Sequence, residues 1–109
     1  MKAISLKEPW ASLVFEGRKT IETRVWRTNY RGRLLLCASK SPKSSISGRA
    51  FATANLVDIR PMVKADEKEA CCKVYDRAYA WILSDINVIK PFEVKGSLGL
   101  FNVDYKDKN

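Results

Sequence analysis

Apolar and polar positions alternate from the N-terminus. Ile4 and Leu6 stand against Lys2, Ser5 and Lys7, the period-two signature of a short strand. A short helix is predicted next, over residues 9–16: Pro9 suits its first turn, Trp10, Leu13 and Val14 share one face, and Gly17 supplies the stop. Residues 19–24 return to strand character. Period two puts Thr20, Glu22 and Arg24 on one face, and Lys19, Ile21 and Thr23 on the other. After the turn chemistry of residues 28–32 comes Leu34-Leu35-Leu36-Cys37-Ala38, a continuous apolar run expected to be the most buried strand. Residues 39–48, with five serines and Pro42, read as a mobile loop. A strand follows over 49–59, closed by Pro61. Asp66 and Glu69 have the spacing of a capping box ahead of Cys71, Val74, Tyr75 and Ala78 at helical intervals, which predicts a second helix over 66–77. Residues 79–83 form a strand, 86–90 extend or follow it, and 98–103 form the last. Residues 106–109 read as a frayed polar tail.

About six strands and two short helices, without regular β-α alternation, predict an α+β fold: a small, mostly antiparallel barrel or curled sheet with both helices at its rim. A length of 109 residues and 46% hydrophobic content suit one domain, placed at residues 1–105. No apolar run approaches the roughly 20 residues of a membrane helix, and Lys2, Lys7 and Glu8 interrupt any signal-peptide-like start. A cytoplasmic protein without a membrane partner is expected; its oligomeric state is open. Cys37 stands alone and Cys71 and Cys72 are adjacent, which suggests reduced thiols. The chain has no histidine and no C-x-x-C spacing, so neither metal nor cofactor is expected. The lack of histidine also removes the usual general base and every Ser-His or Cys-His arrangement.

Charge changes the picture more. The net charge is +8, and residues 1–60 carry 12 Lys/Arg against 4 Asp/Glu, whereas residues 61–109 carry 8 of each. Between Arg18 and Arg49 nine basic residues face one acid, Glu22. Such a cluster concentrates polyanions and speeds their capture.

Several motifs fall in order along the chain. The run Ile4-Ser5-Leu6-Lys7-Glu8-Pro9-Trp10-Ala11-Ser12-Leu13-Val14 leads into Gly17-Arg18-Lys19-Thr20-Ile21-Glu22-Thr23-Arg24. Trp26, Tyr30-Arg31-Gly32-Arg33 and, much later, Lys95-Gly96-Ser97-Leu98-Gly99-Leu100 follow. Together they resemble the ASCH domain family, whose hallmark is Gly-x-Lys-x-x-Glu-x-Arg. The resemblance implies a PUA-like β-barrel, a charged cleft beside the first helix, and a role with RNA or another nucleic acid.

In such a cleft Arg24 offers a two-pronged donor to phosphate or a guanine edge. Glu22 can accept from a base N–H, unless it merely pairs with Arg24 along the strand. Lys19 is expected at the mouth as a mobile charge. Trp10 and Trp26 are candidates to stack a base, with core packing as the alternative, and Trp81 is expected in the core. Arg31, Arg33 and Lys40 are candidate phosphate contacts, and Lys95 a residue bordering the cleft. The expected ligand is therefore RNA, another nucleic acid, or a modified nucleoside or nucleotide.

Two other functions compete. Some small ASCH proteins resembling this chain are amidohydrolases that deacetylate acetylated cytidine with lysine, threonine and glutamate. Lys19, Thr20 and Glu22 would be the catalytic set here, although Glu22 stands where that pattern places its threonine nucleophile. The third class is a protein-interaction module of the coactivator type. Binding is favoured over catalysis.

Overall fold

The structure is a computed structural model and describes residues 1–107. The chain runs β1 (Lys2–Leu6), α1 (Trp10–Phe15), β2 (Ile21–Arg24), β3 (Gly32–Ala38), β4 (Arg49–Pro61), a 3-10 turn at Lys64–Asp66, α2 (Glu67–Ala70), β5 (Tyr79–Glu93) and β6 (Phe101–Asn102). Gly17 stops α1 as expected. At φ +81° its amide donates to Val14 O while that of Arg18 donates to Leu13 O, the paired bonds of a Schellman ending.

All six strands join one mixed sheet in the order β2-β5-β4-β3-β1-β6. Only β1 and β3 run parallel, with Ile4 opposite Leu36; the other pairs are antiparallel. The sheet is open, with β2 and β6 as its edges, so the hydrogen-bonded ladder does not close into the expected barrel. It bends instead. β4 and β5 pair over most of their length, and their register shifts three times, at irregularities that kink strands and increase their twist.

That bending explains the apolar run. Leu34 and Leu36 pack with Ile4, Leu6, Phe51 and Trp81 in the main core. Leu35 and Cys37 point the other way, where Ile89, Phe92, Val94, Phe101 and Tyr105 cover them. Every residue of Leu34–Ala38 is at most 3% exposed, so β3 is buried on both faces. Burial pushes the Cys37 thiol up to about 12, which keeps it protonated and inert.

Three expectations need correction. The second helix ends at Ala70 rather than near residue 77, because Cys71 adopts a left-handed conformation (φ 58°) and stops it. The last strand spans Phe101–Asn102 rather than 98–103, whereas residues 86–90 do extend the strand before them: residues 79–93 are one strand, with Asp85 in a left-handed conformation (φ 49°) inside it. The tail is not frayed at its start: Asp107 accepts a 2.7 Å bond from Arg33 Nε. Residues 108 and 109 of that tail lie outside the described residues. Among the described residues no helix is long and apolar enough to cross a membrane.

Candidate functional site

The two sides of the open sheet meet through a side chain. β2 lies at one edge and β1 beside the other, and Arg24 on β2 donates from Nη2 to Ser5 O on β1 at 2.6 Å. The same guanidinium donates from Nε to Glu22 Oε2 at 2.9 Å. Glu22 Oε1 faces Lys19 Nζ at 3.5 Å, and Lys19 Nζ donates a hydrogen bond to Ala70 O at the end of α2. Glu22 is 7% exposed and Lys19 not exposed at all. A carboxylate so buried is tolerated because a cation faces each oxygen, and a buried ammonium because it has both a counter-charge and a carbonyl. The strand parity read from the sequence is therefore right for Glu22 and Arg24, and the two do pair.

The gap between β1 and β2 opens into a cleft of about 930 Å³. Its floor is the Glu22–Arg24 pair. Trp10 on α1, Lys40 just after β3 and Lys95 after β5 also line it, and so does Lys7 as the chain leaves β1. Four cationic side chains thus face one carboxylate. Two of the exposed aromatic residues, Trp10 at 37% and Tyr75 at 42%, are in the lining, with Leu98, 95% exposed, at its lip.

Local contacts hold these walls. Burial alone would raise the Glu8 carboxyl, but hydrogen bonds from the Ser12 and Ser44 hydroxyls and the Ser12 amide hold it below the usual carboxylate value. Those bonds, at 2.8 and 2.6 Å from Ser12, fix the start of α1 beside Lys7. Across the cleft, Tyr75 donates its hydroxyl to Thr23 Oγ1 at 2.9 Å, and Cys72 Sγ is 3.9 Å from the same oxygen. Ahead of α2, Arg60 grips Asp66 through two 2.8 Å bonds. Together with the Val63 amide, this outweighs burial and holds the Asp66 carboxyl below its usual value.

The ASCH domain family model matches residues 4–94, most of the chain. This chain belongs to the ASCH domain family. The domain is similar to Activating signal cointegrator 1 of Homo sapiens and of Mus musculus, 40% identical to each over 55 residues. That match covers 50% of this chain but only 10% of those relatives, so the chain spans about a tenth of their length. In three dimensions it resembles the crystal structure of ASCH from Zymomonas mobilis, with a TM-score of 0.71 over 94% of this chain and 86% of that one, at 19% identity. A mutant of the same protein gives a TM-score of 0.69 over 94% and 88%. At that identity the likeness shows a shared ASCH fold.

Within this ASCH domain the cleft brings together Trp10, Glu22, Arg24, Lys40 and Lys95 of the residues expected there. It leaves out the others. Lys19, expected at the mouth, is entirely buried under α2. Thr20 takes up backbone pairing, its amide donating to Glu69 O and its carbonyl accepting from Leu83 N. Trp26 packs edge-on against Trp81 at 4.9 Å and accepts that ring's N–H at its carbonyl, so it belongs to the core. Arg31 bonds the carbonyls of Thr28 and Tyr30 in its own turn. Arg33 bonds Thr53, Asn55, Asp85 and Asp107 on the far face of the sheet.

Sequence reasoning missed Lys7, Thr23, Cys72, Tyr75 and Gly96 as lining residues. Lys7 and Gly96 lie inside the family motifs and were findable there. Tyr75 reaches the cleft through Thr23, 52 residues away, and carries no local signal.

Proposed function

We propose that this ASCH domain binds single-stranded nucleic acid or a nucleotide in the cleft between β1 and β2. The observation that carries the reading is the lining: Lys7, Arg24, Lys40 and Lys95 against Glu22 alone, with Trp10 and Tyr75 exposed among them. Cations supply the salt-dependent attraction to phosphate, and exposed rings supply stacking, which every base accepts. RNA is the favoured polymer, in keeping with the expectation drawn from the family resemblance. Glu22 acts first as the counter-ion of Lys19 and Arg24, and any base N–H it accepts uses its remaining lone pairs. The amidohydrolase alternative loses support, because Lys19 and Thr20 do not line the cleft.

Fluorescence anisotropy with labelled single-stranded RNA, single-stranded DNA and duplex tests the reading over a salt series. Single strands should bind more tightly than duplex, weaken as salt rises, and quench tryptophan emission in the wild type but less in Trp10→Phe. Equal binding of all three with unchanged tryptophan emission would leave only surface electrostatics. An interaction module would instead hold a protein partner at high salt after nuclease treatment.

A further inference from the structure

The two long walls of the cleft are chemically unlike. Lys40 packs along Gly48, where a Cβ would lie 3.2 Å from its Cγ, and the Val94 amide donates to Gly48 O at 3.2 Å. Gly96 presses against β1 so closely that a Cβ there would meet Ser5 Oγ at 3.1 Å. Residues 40, 48 and 94–96 therefore form one continuous rim along β1, carrying Lys40 and Lys95 beside Lys7. Among the described residues, none of these three ammonium groups has an ion-pair partner. The opposite wall is uncharged: Thr23, Cys72 and Tyr75, with the Tyr75 hydroxyl already bonded to Thr23 and the residue still 42% exposed. On the floor between them, Glu22 and Arg24 face each other.

The unpaired positive charge thus lies on one rim, and an anchored aromatic face stands across from it. A phosphate is drawn to the first, whereas a base gains by covering the second. Resting on the nucleic-acid reading above, we propose that the cleft holds one nucleoside phosphate in a fixed orientation. Its phosphate sits on the Lys7–Lys40–Lys95 rim and its base lies against Tyr75 and Cys72. The fixed hydroxyl bond matters, because a ring already immobilised loses little freedom when a base stacks on it. A free nucleotide and the end of a single strand share this chemistry.

Chemical-shift mapping on the folded protein tests the orientation with four probes: inorganic phosphate, ribonucleosides, ribonucleoside monophosphates and a short RNA with a 5′-phosphate. Phosphate should move the amides of Lys7, Lys40, Lys95 and Gly96. Nucleosides should move those of Thr23, Cys72 and Tyr75, and monophosphates both sets. Lys40→Ala combined with Lys95→Ala should lower monophosphate affinity tenfold or more and leave nucleoside shifts in place. Tyr75→Phe, which keeps the ring but frees it from Thr23, should weaken nucleosides and monophosphates a few-fold, and Tyr75→Ala should weaken both further, neither altering the response to phosphate. Tighter binding of the oligonucleotide than of the monophosphate assigns the site to a chain end; equal binding assigns it to the free nucleotide. Nucleoside shifts on the lysine rim, or a lysine variant that weakens nucleosides as much as monophosphates, would overturn the orientation alone. If neither monophosphate nor oligonucleotide shifts any cleft amide, the nucleic-acid reading falls and the orientation falls with it.

Discussion

A basic cluster in the sequence and a basic cluster made by the fold have opposite fates. The segment Arg31-Gly32-Arg33 carries two arginines beside a glycine, as a phosphate-binding turn would. Yet the Arg33 guanidinium is tied to Thr53 and Asp107 at 2.7 Å and to the Asp85 carbonyl at 2.9 Å, and Arg31 is folded back on its own turn. The lysines of the cleft rim are scattered over nearly ninety positions, from Lys7 to Lys95, and the fold brings them together with no ion-pair partner among the described residues. A cation with fixed partners at good geometry has little to offer a ligand, because new contacts must replace existing ones. Density of charge along the chain is thus a poor guide to charge available at the surface. Substitutions in the two classes should separate stability from binding.

The largest effect is expected at the most deeply committed cation. Lys19→Met keeps the length of the side chain but leaves Ala70 O without its donor and Glu22 with one counter-charge. We expect a loss of about 3–5 kcal/mol, the usual cost of breaking a buried pair, measured by urea denaturation. A loss below about 1 kcal/mol would show that the carbonyl and carboxylate are hydrated instead.

Arg33→Ala should come next, at about 2–3 kcal/mol, since it strips charge-assisted bonds from Thr53 and Asp107. Oligonucleotide affinity measured on the folded variant should stay within twofold of the wild type. A loss of affinity with stability unchanged would return Arg33 to the binding surface.

The Arg60–Asp66 pair probes the committed class through pH. The Asp66 carboxyl is held below its unfolded value of about 3.9 by its bonds to Arg60. Its contribution is therefore complete above that value and disappears as pH falls through the lower folded value. Asp66→Asn should cost about 1–2 kcal/mol at neutral pH. The difference from wild type should shrink as the solution is acidified below about pH 4, which thermal melts across that range will record. A difference that stays constant down to strong acid would mean the pair contributes nothing through ionisation.

These contrasts also show what the sequence made legible. β3 was readable because five consecutive apolar residues leave a strand no solvent face, and the structure covers both. Glu22 and Arg24 were readable because period two is enforced by the backbone itself. Lys19 was not, since its burial depends on Ala70 O, 51 residues away. Arg33 was not either: its partners come from β4, β5 and the C-terminal segment, and only the fold brings them together. The shortened α2 has the same origin, as the bond from Tyr75 to Thr23 belongs to the cleft wall rather than to a helix.

The smallest effects decide most sharply between free and committed charge. If phosphates sit on the cleft rim, Lys40→Ala should flatten the salt dependence of single-strand binding by about 0.7 log units per log unit of salt, the value for one lost phosphate contact. It should do so for every sequence alike, because a phosphate contact reads no base. Arg31→Ala removes the same unit of charge from the same net total, so a model in which the protein attracts polyanions simply through its charge of +8 predicts a comparable, sequence-independent weakening. The fold predicts otherwise. Arg31 is held by two carbonyls and lies 3.9 Å from Asp58, outside the cleft, so its removal should leave the slope unchanged within error and lower affinity by less than twofold. Both variants should melt close to wild type, since surface substitutions of this kind cost about 0.5 kcal/mol or less. Equal slopes for Lys40→Ala and Arg31→Ala would mean that binding follows total charge. A flattened slope for Lys40→Ala alone ties it to the rim formed by Lys7, Lys40 and Lys95.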